Sequence, residues 1–219
     1  MKIKFLLTII ILSAGFTTVH AQIEKGSWLI GGQAGFYSSK NKAESPSNLS
    51  SQKGRNSAFE ILSGYSFKKN QILGVIVSLT SAKQSYSFSG STPNTNYINN
   101  IGAGAFYRAY KPLGSNFYIF GQAAALYTKG KTKTETISSS ITEKTNGANL
   151  SLMPGISYQV LKNAQIELAI PNIVSLNYAK AKSSTEEQVT MPGKETFSVN
   201  TSLNAGVLQN LGIGFKIFL

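Results

Sequence analysis

The side chains that most often perform catalysis or bind metals are nearly missing from this sequence. It contains no cysteine, and its nine acidic residues are all glutamates, because aspartate does not occur. The one histidine, His20, lies in an N-terminal segment that we expect to be removed. A histidine general base, a thiolate nucleophile and an aspartate to orient a base are therefore lacking, as are the histidine and cysteine ligands usual for zinc. We predict no catalytic residues, no metal site and no cofactor, and we expect that the protein is not an enzyme.

The charged residues that remain are more informative as an interior network. Glu60 and Glu167 could form a glycosidase-type pair, but the pattern described below points both into a barrel too narrow for a substrate. The same inward face carries cations and amides, and buried charges must be paired. We predict a polar network in the lumen made of Glu60, Arg108, Glu167, Lys216, Gln33 and Gln122, with Gln159 on the same face. A static plug is favoured, and a gate in which a glutamate switches between Arg108 and Lys216 is the alternative.

The elements that hold these residues follow an export signal. Residues 1–4 are cationic, residues 5–16 are mostly apolar, and Val19-His20-Ala21 has the compact residues that a signal peptidase requires. The apolar run is shorter than the roughly 20 residues of a spanning helix. We therefore predict a signal peptide over residues 1–21, cleavage after Ala21, and one mature domain over residues 22–219.

In the mature region apolar residues recur at every second position, which is the period of a β-strand. At the C-terminus Leu211, Ile213, Phe215, Ile217 and Leu219 alternate mainly with small or charged residues. Further segments that alternate in this way begin near Trp28, Phe59, Leu73, Ile101, Phe117, Leu150 and Ile166. Glycines recur on the face that also carries the charges, as expected inside a narrow barrel. The pattern predicts about eight antiparallel strands with an apolar outer face.

The connections between these segments alternate between long and short. The long polar connections are residues 38–57, 81–96, 129–149 and 180–194, and the short turns are residues 68–70, 111–116 and 161–163. A bacterial transmembrane barrel has short periplasmic turns and long external loops. Its strands must close into a ring, because lipid offers no hydrogen-bond partner to an open edge. We therefore predict an all-β, closed, antiparallel up-and-down transmembrane β-barrel of about eight strands.

Aromatic residues collect at both ends of the predicted strands, as in the girdles of membrane barrels. Those near the short turns are Trp28, Phe67, Tyr107, Phe117 and Tyr158. Those near the long connections are Phe36, Phe59, Tyr127, Tyr178 and Phe197. We interpret these ten residues as two interfacial girdles rather than as ordinary strand aromatics.

With these features the sequence resembles the small outer-membrane β-barrel family, also called the porin family, that includes the OmpA transmembrane domain and OmpX-like proteins. The resemblance rests on the signal, the glycine-alternating strands, the Pro-Gly-Ile-Ser-Tyr run at 154–158 and the ending at 211–219. Members usually end in an aromatic residue, whereas here Phe218 precedes Leu219. The resemblance implies location in the Gram-negative outer membrane. It also implies outer-membrane lipid, lipopolysaccharide and the barrel-assembly machinery as partners.

Three positions do not fit simple strands. Pro154 and Pro171 each remove a donor from the strand ladder, so we expect a bulge or a strand end near each. The C-terminal alternation reaches back to Phe197, which is too long for one crossing. We therefore expect the last strand to project beyond the membrane or to break near Gln209-Asn210.

The net charge of +12 comes mostly from lysines in the long connections. Because the charges are spread over separate loops, we do not expect nucleic-acid binding. They form either a solvated surface or a surface that attracts anionic lipid phosphates. The leading hypothesis is a non-enzymatic outer-membrane barrel with a structural role or an unidentified surface partner. The alternatives are a narrow gated pore for ions or small solutes, and a soluble secreted barrel that binds lipid inside.

Overall fold

A computed structural model describes residues 23–45, 48–88, 94–136, 140–170, 172–185, 193–201 and 211–219. The predicted signal peptide and the cleavage position after Ala21 lie outside these ranges. Nowhere in the described ranges is there a helix with the length and apolarity to span a membrane.

The regular structure of the described residues consists of ten β-strands. They are β1 (Trp28–Ser45), β2 (Asn48–Lys68), β3 (Gln71–Phe88), β4 (Asn94–Gly114), β5 (Phe117–Glu135), β6 (Ser140–Leu161), β7 (Ala164–Ala169), β8 (Val174–Thr185), β9 (Lys194–Thr201) and β10 (Gly212–Phe218). Short turns join β2 to β3, β4 to β5 and β6 to β7, all at one end.

The strands form a closed antiparallel ring. Each of β1 to β5 pairs with the next strand, and β5 pairs with β6. Because β7 and β8 both lie along β6, they fill one position in the wall. β9 pairs with β8, and β10 pairs with β7 and with β1, which closes the ring. The wall therefore has eight positions, and the predicted all-β up-and-down barrel is confirmed.

The long connections of the sequence prediction are mostly strand, so that part of the prediction is wrong. The backbone pairing of β1 with β2 continues as far as Ser45 and Asn48. That of β5 with β6 continues as far as Glu135 and Ser140. Ladder bonds join backbone groups, so a polar ribbon can form them without an apolar face. Such a ribbon carries no hydrophobic alternation by which a sequence could reveal it. As a result, the wall continues as paired hairpins beyond its apolar rows.

The proline positions differ from the expectation. β6 runs unbroken through Pro154, which pairs with Gly121 of β5. The break lies instead in the neighbouring position of the wall, between β7 and β8. Ile170 donates its backbone N–H to the Pro154 carbonyl at 3.0 Å, so Pro154 faces this break. The backbone N–H that Pro154 lacks would therefore point to the gap between β7 and β8, where the ladder on that side of β6 is interrupted in any case. Pro171 and Gln209-Asn210 lie outside the described residues.

The two faces of the wall have opposite chemistry. Outside, large apolar side chains are exposed, among them Ile213 at 62% and Phe215 at 47%. Inside, Arg108, Glu167 and Lys216 are fully buried. A soluble barrel that carries lipid would have the reverse arrangement, so this distribution does not support that alternative. The buried apolar cluster lies on the inner face and includes Leu29, Leu62, Ile72, Ile76 and Phe106.

Candidate functional site

Strand register brings three of the four predicted lumen charges, Arg108, Glu167 and Lys216, to one level. Arg108 of β4 pairs with Gln122 of β5, and Glu167 of β7 pairs with Ser157 of β6. Lys216 of β10 pairs with Gln165 of β7 on one side and with Gly31 of β1 on the other. Since side chains alternate between faces along each strand, all of these point inward.

Arg108 and Glu167 form a buried ion pair across the lumen. Arg108 Nη1 donates to both carboxylate oxygens of Glu167 at 2.8 Å. Its Nε donates to Gln122 Oε1 at 2.8 Å. The guanidinium also lies 4.5 Å from the centre of the Phe120 ring, which favours a cation–π contact. These contacts hold Arg108 in one orientation in the middle of the barrel.

Lys216 completes this cluster from the opposite wall. Its Nζ lies 3.3 Å from Glu167 Oε2 and donates to the Gly32 carbonyl at 3.2 Å. The aliphatic stem of Lys216 passes directly over Gly31, where a Cβ atom would overlap it. Glu167 therefore forms ion pairs with two cations. The absence of a side chain at Gly31 leaves the space that the Lys216 stem occupies.

Aromatic residues that the sequence prediction left out lie in the same cluster. Tyr110 donates its hydroxyl to Glu167 Oε1 at 2.9 Å and receives a hydrogen bond from Arg108 at 3.0 Å. Its ring packs against Tyr118, Phe120 and Phe218, with ring centres 5.6–6.4 Å apart. Tyr110 shares the alternation of Arg108, so its inward direction could have been read from the sequence. These rings close the barrel on the short-turn side of the charges.

Gln33 and Glu60 lie apart from the ion pairs. They face each other across β1 and β2 and line a cavity of about 310 Å³ in the half of the barrel nearest the long hairpins. Gln33 Oε1 and Glu60 Oε2 are buried and have no hydrogen-bond partner among the described residues. The narrow barrel predicted from the sequence therefore still encloses free space in that half.

The predicted network is therefore divided into two levels. Hydrogen bonds and ion pairs join one level, which consists of Arg108, Glu167, Lys216 and Gln122. The other level, nearer the long hairpins, is the cavity that Gln33 and Glu60 line. Gln159 lies at the short-turn end, where it accepts the Tyr118 hydroxyl at 3.2 Å. Within the described ranges, histidine, cysteine and acidic side chains form no group of three that could hold a metal. The joined level is a buried cluster in which one carboxylate contacts two cations.

The predicted girdle residues lie on the outer face at the two ends of the apolar rows. At the short-turn end, ring centres are 4.7 Å apart for Phe117 and Tyr158. At the hairpin end, they are 5.4 Å apart for Phe36 and Phe59. Tyr65, which was not among the predicted residues, packs on Trp28 at 5.5 Å. The positions of the full set are Trp28, Phe67, Tyr107, Phe117 and Tyr158 at one end, and Phe36, Phe59, Tyr127, Tyr178 and Phe197 at the other. Their interfacial role stays a prediction.

The outer face beyond the apolar rows is rich in lysine. Lys180 forms an ion pair with Glu195 at 2.8 Å. The hydrogen bond between them raises the pKa of Lys180 and lowers that of Glu195. Lys131, Lys144 and Lys182 are exposed, and none of them has an acidic partner within the described part of the chain. Among the described residues, these outer strands therefore present lysines that no ion pair with a glutamate balances.

Comparison with known proteins bears on the fold. A model of the outer membrane protein β-barrel domain family matches residues 7–207. The outer membrane protein OprG from Pseudomonas aeruginosa is 15% identical over 90% of this chain and 97% of its own, at a TM-score of 0.49. Ail, the attachment invasion locus protein of Yersinia pestis, is 16% identical over 89% of this chain and 100% of its own, at a TM-score of 0.35. These scores are too low to carry an argument about function. No curated protein matches the sequence.

Proposed function

We propose that this chain, which belongs to the outer membrane protein β-barrel domain family, is a closed, non-enzymatic barrel that presents basic hairpins at the cell surface. It is an outer-membrane protein. Its proposed role is to stabilise the membrane and to contact anionic partners there, without conducting solutes.

The buried charge cluster in the lumen is the observation that carries this proposal. Arg108, Glu167 and Lys216 are fully buried side chains in the centre of the barrel. Tyr110, which is also buried, seals the level beneath them. Separating these charges would leave an unpaired ion in a low-dielectric interior, which costs several kcal/mol. The plug is therefore stable at rest, and it blocks the path between the cavity and the short turns.

The surface role is supported by the exposed cations on the paired hairpins. A ladder holds these side chains at fixed spacing, whereas a flexible loop would not. Lysines near an anionic membrane surface contribute roughly 1 kcal/mol each to its attraction. Outer-membrane lipid and lipopolysaccharide are therefore the partners that we propose, together with the barrel-assembly machinery during insertion.

Single-channel recording of the purified full chain in planar lipid bilayers tests the closed interior. We expect no current steps from the wild-type protein. The double variant R108A/Y110A, which removes the central cation and the ring beneath it, should produce steps and so provides the positive control. Regular steps from the wild-type protein under the same voltage would contradict the proposal.

A narrow gated pore is the second candidate, and one observation favours it. Arg108 Nη2 and Glu60 Oε2 are both buried without a hydrogen-bond partner in the described structure. A shift of one central cation from Glu167 toward Glu60 would satisfy the carboxylate and loosen the plug. Brief wild-type openings that the substitution E60Q removes would favour this candidate over the closed barrel.

A further inference from the structure

Three parallel rows of residues cross the outer face of β2, β3 and β4 where the apolar wall meets the basic hairpins. The rows run along directly paired residues of neighbouring strands. From the apolar wall outward they are Phe59–Leu79–Ile101, Ser57–Ser81–Asn99 and Arg55–Lys83–Tyr97. Small hydroxyl and amide side chains thus lie between an apolar row and a row that begins with two cations.

The small middle row leaves a trough in the surface. One part of it is a cavity of about 570 Å³ lined by Phe59, Leu79, Ile101 and the lysines at 129, 131 and 144. The adjoining part is a cavity of about 410 Å³ lined by Phe36, Arg55 and Lys83. Ser57 and Ser81 line both parts, so the trough is continuous. No acidic residue is among the described residues that line it.

Like charges are paired on neighbouring strands along this trough and, at Lys182, just beside it. Arg55 pairs with Lys83, and Lys131 pairs with Lys144, which in turn pairs with Lys182. Like charges directly opposite on neighbouring strands destabilise a sheet. The ion pairs of the described residues leave all five of these cations without an acidic partner. An anion bound between the strands would remove this repulsion.

We propose that the trough binds the phosphorylated headgroup of an anionic lipid of the outer leaflet. The phosphate would lie between Lys131 and Lys144, which are directly paired on adjacent strands and both line the larger cavity. The acyl chains would pack along Phe59 and Leu79, which are half-exposed and belong to the apolar outer face. The inference rests on the proposed surface role and not on the closed interior.

The position of the trough selects a lipid over a soluble anion. Its cationic side is continuous with the hairpins, and its apolar side is continuous with the wall that faces the hydrocarbon. Only an amphiphile satisfies both sides at once, since a free phosphate or a nucleic acid has no apolar part to cover Leu79 and Ile101. Ser81 donates to Asn99 at 2.9 Å, so the middle row is already ordered to receive a polar headgroup.

Lipid retention by the full-length barrel tests this site. The refolded protein in neutral detergent is titrated with bis-phosphorylated lipid A, with phosphatidylethanolamine and with inorganic pyrophosphate, and bound molecules are counted by native mass spectrometry. We expect lipid A to bind more tightly than the other two. K131Q/K144Q should weaken lipid A binding roughly 25-fold, since each lysine near an anionic surface contributes about fivefold. The control K111Q/K162Q, at the short turns, should leave it unchanged.

A second variant tests the shape of the trough rather than its charge. S81F fills the middle row and keeps every cation, so it should weaken lipid A binding at least several-fold. Equal loss in K131Q/K144Q and K111Q/K162Q, unchanged binding in S81F, or equally tight pyrophosphate binding would overturn the proposal. The shift of the folded band on a gel before and after heating confirms that each variant is folded. The two proposals can fail separately. Current steps from a wild-type barrel that still binds lipid A selectively would refute the closed interior alone. A wild-type barrel that gives no current steps and does not bind lipid A selectively would refute the lipid site in the trough alone.

Discussion

Arg108 and Glu167 lie 59 positions apart in the chain, and their side chains meet within 2.8 Å in the centre of the barrel. Two further strands, β5 and β6, separate their strands along the wall. Backbone ladders connect only neighbouring strands, so this pair ties together parts of the wall that the ladders do not. The ion pair therefore acts as an internal strut as well as a plug.

Removing the shared carboxylate should destabilise the barrel. E167Q leaves Arg108 and Lys216 buried without a counter-ion, which costs about 3–5 kcal/mol of unfolding free energy. The matched control is E135Q, since the Lys133–Glu135 pair is over 40% exposed and should contribute at most about 1 kcal/mol. Urea unfolding in lipid vesicles measures both variants. An equal effect of the two substitutions would exclude the strut.

The room for Lys216 should depend on glycine at position 31. G31A places a Cβ atom against the lysine stem and the Phe215 carbonyl, and overpacking of this kind typically costs about 1–3 kcal/mol. Gly121 has no atom within 4 Å of an added Cβ, so G121A is the matched control and should be close to neutral. The thermal midpoint of the heat-modifiable band compares the two. A neutral G31A would mean that Lys216 has another route to Glu167.

A charged substitution on the outer face should lower the free energy of unfolding only where lipid covers that face. V77K places a lysine in the middle of the exposed apolar row of β3, where a cation costs about 2–4 kcal/mol near the bilayer centre. S87K puts the same residue on the same face near the hairpin tip and should change stability by less than about 0.5 kcal/mol. Unfolding in vesicles gives both free energies. Similar small effects would mean that Val77 does not face hydrocarbon.

The two ends of the barrel should differ in exposure on intact cells. The chain contains no cysteine, so an introduced thiol is the only one present. We expect a membrane-impermeant maleimide to label S87C, near a hairpin tip, on intact cells. K69C, in a short turn, should react only after the outer membrane is permeabilised. The opposite pattern would show that the barrel is inserted in the reverse orientation.

The faces of the strands were predictable because successive side chains in a strand point to opposite sides. The apolar positions of residues 211–219 therefore identified the outer face, and the position of Lys216 between them identified the inner one. Tyr110 follows Arg108 by two positions and could have been placed inside by the same rule. The paired hairpins were not predictable, since their polar strands have no hydrophobic contrast to mark them.

The sequence by itself determined that Arg108, Lys216, Glu60 and Glu167 would share the interior, because alternation assigns a side chain to a face whatever its neighbours are. Only the tertiary structure decided that both cations bind Glu167, while Glu60 lines an open cavity. That choice depends on the level that each residue reaches along the barrel axis. The level follows from the register of every strand pair around the ring, and no single segment of the sequence contains it.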